Sequence, residues 1–263
     1  MQRAREQQEA VEAIRKAGGE VFYFLGKKGA EGGEALGEES PLPLWRQALG
    51  EEVRVCQVNF KPGGAKITDA DLRHLREIPS LQNLYLEGTR VTGTGLKHLR
   101  GLTELDVLYL DWSQVTDAGL KHIHDLPLLR FVDLSNTKIT GAGLRHFRGL
   151  PRLQDLSLDD TQVTDAALAH LKALPQLRHL GLAGTKVTDV GLRHLKNLPR
   201  LKRIDLNRTS ITDAGLRHLE VAIQLESVDI FDTKVAAEGI KRLRRALPNC
   251  EIGYGFYIPD DEE

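Results

Sequence analysis

Only two cysteines, Cys56 and Cys250, occur in the 263 residues, and they stand near opposite ends of the chain. In an elongated fold they do not meet, which argues against a disulfide framework and agrees with a reducing compartment. Aromatic residues make up only 5% of the chain, so another side chain must fill the core, and Leu is the evident candidate. Neither sign of charge dominates: 36 Lys and Arg stand against 37 Asp and Glu, and net charge selects no partner. No run approaches the roughly 18 apolar residues of a membrane span. MQRAREQQEA does not read as a signal peptide. What the chain does have is 41% hydrophobic residues, enough for a sizeable core.

It also has one phrase written eight times. ITDADLRHL begins at Ile67, VTGTGLKHL at Val91, VTDAGLKHI at Val115 and ITGAGLRHF at Ile139. VTDAALAHL follows at Val163, VTDVGLRHL at Val187, ITDAGLRHL at Ile211 and a decayed VAAEGIKRL at Val235, each 24 residues after the last. The longer unit is clearest over residues 129–152. Leu129, Val132 and Leu134 are apolar with polar residues around them, the pattern of a short half-buried strand. Leu144, Phe147 and Leu150 then fall at i, i+3 and i+6, one face of a two-turn helix. The Thr before it reads as an N-cap, and the Asp or Gly after that Thr suits the positive helix end. Pro79, Pro127, Pro151, Pro175 and Pro199 stop the helices. Neither element buries its apolar face alone, so the units must stack side by side as a solenoid. Strands pair at about 4.8 Å and helices at roughly 8–10 Å, so the array bends with its strands inside.

Leu81-x-x-Leu84-x-Leu86-x-x-Thr89-x-Val91 resembles the leucine-rich repeat, with Thr where that family usually has Asn or Cys. The helical second half resembles the ribonuclease-inhibitor-like branch, and T-D-A-G-L is similar to bacterial leucine-rich repeat proteins. The resemblance covers about residues 53 to 253. It implies an α/β fold: a leucine-rich repeat solenoid, a right-handed horseshoe with parallel strands concave and short helices convex. It also implies that the concave face binds other proteins, without saying which.

Residues 1–50 read as an N-terminal cap, 51–247 as about eight repeats, and 248–263 as a closing strand and acidic tail. Within the cap, residues 1–19 read as an amphipathic helix with Ala4, Val11, Ile14 and Ala17 on one side and Gly18-Gly19 stopping it. EVFYF (20–24) reads as a strand, residues 26–43 as a Gly- and Glu-rich mobile loop, and LWRQAL as a short helix anchored by Trp45. The chain is expected in the cytoplasm if it is full length. Similar bacterial proteins carry a hydrophobic anchor just before a helix like REQQEAVEAIRKAGG, which leaves open a soluble fragment of a membrane-anchored protein.

His74, His98, His122, His146, His170, His194 and His218 occupy one repeat position. Zinc needs ligand atoms about 2.0–2.1 Å from one ion. Rungs on neighbouring helices stand roughly 8–10 Å apart, and the row holds no Cys, Asp or Glu. These imidazoles are therefore expected to pack on the flank of the apolar stripe and bond the next coil's backbone; no metal or other cofactor is expected. The row Thr89, Ser113, Thr137, Thr161, Thr185, Thr209 and Thr233 is likewise expected to satisfy backbone groups in the turn after each strand. No base stands beside any one of them to make a nucleophile.

Function should appear where the phrase varies. With Leu84 and Leu86 facing the core, positions 83, 85, 87 and 88, and those reached from them in steps of 24, face the concave side. Tyr85, Tyr109, Trp112 and Phe131 gather there as an aromatic cluster in a chain short of aromatics. Such side chains are common interface anchors. Beside them lie Asp111, Asp133, Asp155, Asp159 and Asp160. The expected role is a non-enzymatic protein-binding module: Tyr85, Tyr109, Asp111, Trp112, Phe131, Asp133, Asp155 and Asp159 grip a partner carrying basic groups, with the chain itself a monomer. Paired carboxylates on neighbouring strands about 5 Å apart could instead serve a metal-dependent hydrolase. An open face, however, lacks the desolvated pocket that tunes such groups, so no catalytic residue is assigned. On the helices the sign reverses. The positions after the first helix Leu and three residues on are mostly Lys or Arg, from Arg73 and Arg76 to Lys241 and Arg244. A solvated helix face would account for them; the alternative is an electrostatic adaptor for a polyanion or an anionic membrane surface. No groove-reading element is present, so specific nucleic-acid recognition is not expected.

Overall fold

The computed structural model describes residues 2–27, 33–36, 51–60 and 66–255. Eleven strands form one sheet in the spatial order β11-β10-β9-β8-β7-β6-β5-β4-β3-β1-β2. The first three are β1 (Gly19–Lys27), β2 (Gly33–Leu36) and β3 (Glu51–Phe60). Then come β4 (Asn83–Tyr85), β5 (Val107–Tyr109), β6 (Phe131–Asp133) and β7 (Asp155–Ser157). The last four are β8 (His179–Gly181), β9 (Arg203–Asp205), β10 (Ser227–Asp229) and β11 (Glu251–Gly253). From β3 onward every neighbour is parallel. From β4 the register advances by one repeat per strand, Leu84 beside Leu108 and Leu108 beside Val132. The 24-residue period is thus the sheet register itself. In each short strand the central residue is buried and its neighbours are not, the alternation the pleat requires.

Behind the sheet the Leu rows fill one continuous core that runs from Ala10 to Ile252. The hydroxyls of Thr89, Thr137, Thr161, Thr185, Thr209 and Thr233 each donate to the carbonyl three residues back, at 2.5 to 2.9 Å. They close the turn as expected. Ser113 is the exception: its hydroxyl is buried without a partner.

The convex elements are mostly short, the longest 3₁₀ stretches being Asp71–Glu77 and Ala142–Gly149. Most are single turns such as Asp117–Leu120 and Asp189–Leu192, or 3₁₀ stretches such as Gly95–Leu99; only Ala237–Ala246 is a ten-residue helix. The Thr caps are also only partly what the pattern suggested. Thr188 and Thr212 accept from backbone N–H groups two residues on, but the stronger link runs between repeats. Asp165 accepts from the Thr188 amide and hydroxyl at 2.7 Å each, and Asp189 does the same for Thr212. The Asp of T-D-A-G-L therefore fastens the following repeat. It also explains the Gly of the phrase. A methyl group at Gly191, Gly215 or Gly239 would collide with the Asp of the preceding unit. Where that residue is Gly141, in the left-handed region at φ 98°, the next repeat carries Ala167 in place of Gly.

At the N-terminal end the helix Gln2–Lys16 lies against the turn Asp71–Glu77, burying Ala10, Val11 and Ile14; Gly18, at φ 95°, ends it. The strand expected at 20–24 is the middle of β1, which pairs antiparallel with β3. The expectation of a mobile loop over 26–43 is corrected in part: residues 33–36 form β2 on the outer edge of β1, since Gly33 to Leu36 can pair with Tyr23 to Gly26 whatever their side chains. Trp45, the short helix around it and the tail at 259–263 lie outside the described residues. Among the described residues no helix is long and apolar enough to cross a membrane.

Candidate functional site

Parallel strands in register hold equivalent side chains one strand spacing apart, a distance that suits stacked rings. Tyr85 and Tyr109 are register partners, and their centroids lie 5.0 Å apart with planes 11° from parallel. Phe131, diagonal to Tyr109, sits 4.7 Å away at 39°. All three are half-exposed. They form one stack on the early strands.

Trp112 is not part of it: among the described residues the ring contacts on this face join Tyr85, Tyr109 and Phe131. The expected four-ring cluster is corrected to a stack of three with a separate indole. The reason is the turn. Trp112 occupies the left-handed position that follows each strand, with φ 57°, where sister repeats place Gly88, Asn136, Asp160, Gly184, Arg208 and Asp232. The side chain leaves the sheet there and is 63% exposed. A bulky residue in this conformation costs roughly 1–2 kcal/mol, and so open an indole recovers little of that by burial.

The acidic side chains divide into distinct situations. Asp111 is the most perturbed: burial, then the charges of Asp133 and Glu87, push it up to about 6. Its Oδ1 is buried without a partner. The repeats explain why. Asp159, at the equivalent position, accepts the Ala183 amide at 2.8 Å, and Asn207 accepts the Phe231 amide at 2.6 Å. The corresponding amide for Asp111 belongs to Ser135, and Asp133 has already taken it at 2.8 Å. Asp159 also accepts from Ser157 at 2.8 Å, while burial raises its carboxyl above the usual range. Asp155 is engaged by His179 Nδ1, and Asp160 by Arg208 at 2.9 Å.

The register corrects the paired-carboxylate geometry. Asp133 stands beside Ser157, and Asp155 beside Phe131 and His179, so the two acids are diagonal. At about 7–8 Å they are too far apart to share a proton. The acids that do face each other are Asp205 and Asp229, which the sequence reading did not select. They line a shallow depression of ≈ 310 Å³ with Asp155, Asp159, His179 and Arg203. Gly181 puts no bulk there, and the step from Tyr85 and Tyr109 down to Ser157 and Gly181 along its row was the available signal. Among the described residues no three His, Cys, Asp or Glu side chains gather as a metal site.

The histidine ladder is corrected in its bonding. Rather than binding the next coil's backbone, Nε2 of His74, His146 and His194 accepts from the preceding Arg at 3.1 to 3.4 Å, and His98 Nδ1 is buried without a partner. Burial and the surrounding Lys and Arg hold His98, His122, His146 and His194 below the ordinary imidazole range.

Residues 103–163 and 127–187 match the family model described as leucine rich repeat. The solved structure of internalin C2 from Listeria monocytogenes str. 4b F2365 aligns with a TM-score of 0.55 at 23% identity, covering 72% of this chain and 84% of that one. No curated protein matches the sequence. The likeness is one of fold, and the fold is a leucine-rich repeat solenoid.

Proposed function

We propose that this leucine-rich repeat solenoid is a non-enzymatic protein-binding module whose concave face grips a partner bearing basic groups. One observation carries the reading: Trp112 is held in a left-handed turn, largely in solvent, at a position that sister repeats fill with Gly, Asn, Asp or Arg and never with another aromatic residue. Folding gains nothing there from an indole, whereas an interface does. The neighbouring stack of Tyr85, Tyr109 and Phe131 supplies flat apolar area. Asp111, with Asp133 and Glu87 beside it, supplies acidic charge that a basic side chain would neutralise. Farther along, Asp155 and Asp159 rim the depression over Gly181, into which a second basic side chain fits. The open face and the hydrogen bonds already made by Asp133 and Asp159 favour binding over hydrolysis.

The test is affinity capture from the source organism's lysate with the wild-type chain and with a Trp112→Gly/Tyr109→Ala variant of matched thermal stability. A protein retained by the first and lost by the second identifies the partner. Recovery of the same set by both overturns the reading.

A further inference from the structure

The convex side carries a feature that the concave reading does not use. A cavity of ≈ 350 Å³ is lined by Lys121, His122, His124, His146 and Arg148, side chains that are all cationic or can become so. It lies where the repeat pattern breaks. The position held by Arg76, Arg100, Arg148, Lys172 and Lys196 in other units is here His124. His124 is fixed in place: its Nδ1 lies 2.6 Å from the Lys121 carbonyl and its Nε2 2.9 Å from Asp125 Oδ1. That carboxylate is itself shared with Arg100 at 3.7 Å. Neither Lys121 nor Arg148 pairs with a carboxylate among the described residues. Like charges facing one cavity repel unless an anion lies between them.

We propose that this cavity is an anion site for a phosphate group, carried by a soluble phosphoester or by a lipid headgroup, and that protonation of His122 and His146 strengthens it. The donor set suits a phosphate: an ammonium, a guanidinium fork and imidazoles line one volume. The groups facing His122 are Lys121, Lys97, His124 and Arg100, and those facing His146 are Arg145, His124, Arg148 and Lys121. Together with burial they keep both imidazoles uncharged at neutral pH, and His146 Nε2 accepts from Arg145 at 3.3 Å, which requires the neutral form. A bound dianion reverses the balance, because it stabilises the imidazolium that the basic neighbours oppose. Binding therefore takes up protons, and affinity rises as pH falls through the depressed range of these histidines. Each linked proton steepens it by up to about tenfold per pH unit.

The experiment is a calorimetric titration of the whole chain with inorganic pyrophosphate at pH 5.5 and pH 8. A parallel arm measures co-sedimentation with phosphatidylcholine vesicles with and without phosphatidic acid. The expected result is saturable binding at least about tenfold tighter at the lower pH. Lys121→Ala/Arg148→Ala should abolish it, and Lys172→Ala/Lys196→Ala, two equally exposed cations one and two repeats away, should leave it intact. His122→Gln/His146→Gln should retain binding and lose the pH dependence. Capture by phosphatidic acid vesicles, competed by pyrophosphate, assigns the phosphate to a headgroup; pyrophosphate binding without capture assigns it to a soluble ligand. No saturable binding at either pH, an equal loss in the two double-alanine variants, or affinity independent of pH overturns the proposal.

Discussion

The two faces of this solenoid are built from the same 24-residue phrase and treat it in opposite ways. On the helical back the phrase repeats, because an Asp such as Asp165 or Asp189 must find the Thr and the Gly of the next unit. On the strand face it drifts, because residues such as Tyr109, Asp133 and Gly181 point away from the core and no contact that recurs in every unit fixes their identity. Their charges also oppose. Burial and then the acids of the strand face raise Asp111, whereas burial and then the bases of the back lower the histidines. The difference separates what the chain needs in order to stack from what remains free for binding.

Six variants would break or sharpen that contrast. The largest effect is expected on the strand face. Trp112→Gly with Tyr109→Ala should weaken partner binding by about 2–4 kcal/mol, read by calorimetry on the captured partner. On the back, the interlock predicts that Gly215→Ala, whose methyl meets Asp189, lowers unfolding free energy by about 1–3 kcal/mol in urea. Adding Asp189→Gly should cost less than the two single changes summed, since the Gly141–Ala167 pair already shows that combination packing. Additive losses would mean that the interlock does not exist.

Acidity should act with opposite signs on the two faces. The depressed histidines contribute stability that is present above their unfolded value of about 6.5 and is lost as pH falls through their lower folded values. Asp111, raised to about 6, contributes a cost that is absent in acid and appears as pH rises through 6. Asp111→Asn should therefore raise the melting temperature at pH 7.5 and change it little at pH 4, whereas replacing His122 and His146 by Gln should flatten the acid side of the profile. The smallest effect is Trp112→Gly alone. It relieves the left-handed strain and should stabilise the fold by up to about 1 kcal/mol.

The solenoid was legible because its period is both a register and a packing rule. The Leu rows alternate in every unit, and the Thr row closes the turn in every unit but that of Ser113. What escaped the sequence lies between units. Asp189 and Gly215 are 26 residues apart, so their contact shows only once the coils are stacked. The diagonal offset of Asp133 from Asp155 depends on which strand residue faces which, and the two look adjacent when only their repeat is counted. Trp112 was read as one of four clustered rings because a linear spacing does not reveal a left-handed turn. β2 was missed because main-chain pairing suffices to hold it against β1.

The most direct test of the division between the faces is one capture experiment with three matched chains: wild type, Trp112→Gly/Tyr109→Ala, and Lys97→Ala/Arg145→Ala on the back. The account predicts that the wild type and the back variant retain the same partner while the strand-face variant loses it, all three melting within a few degrees of one another. Loss in the back variant with retention in the strand-face variant would contradict it.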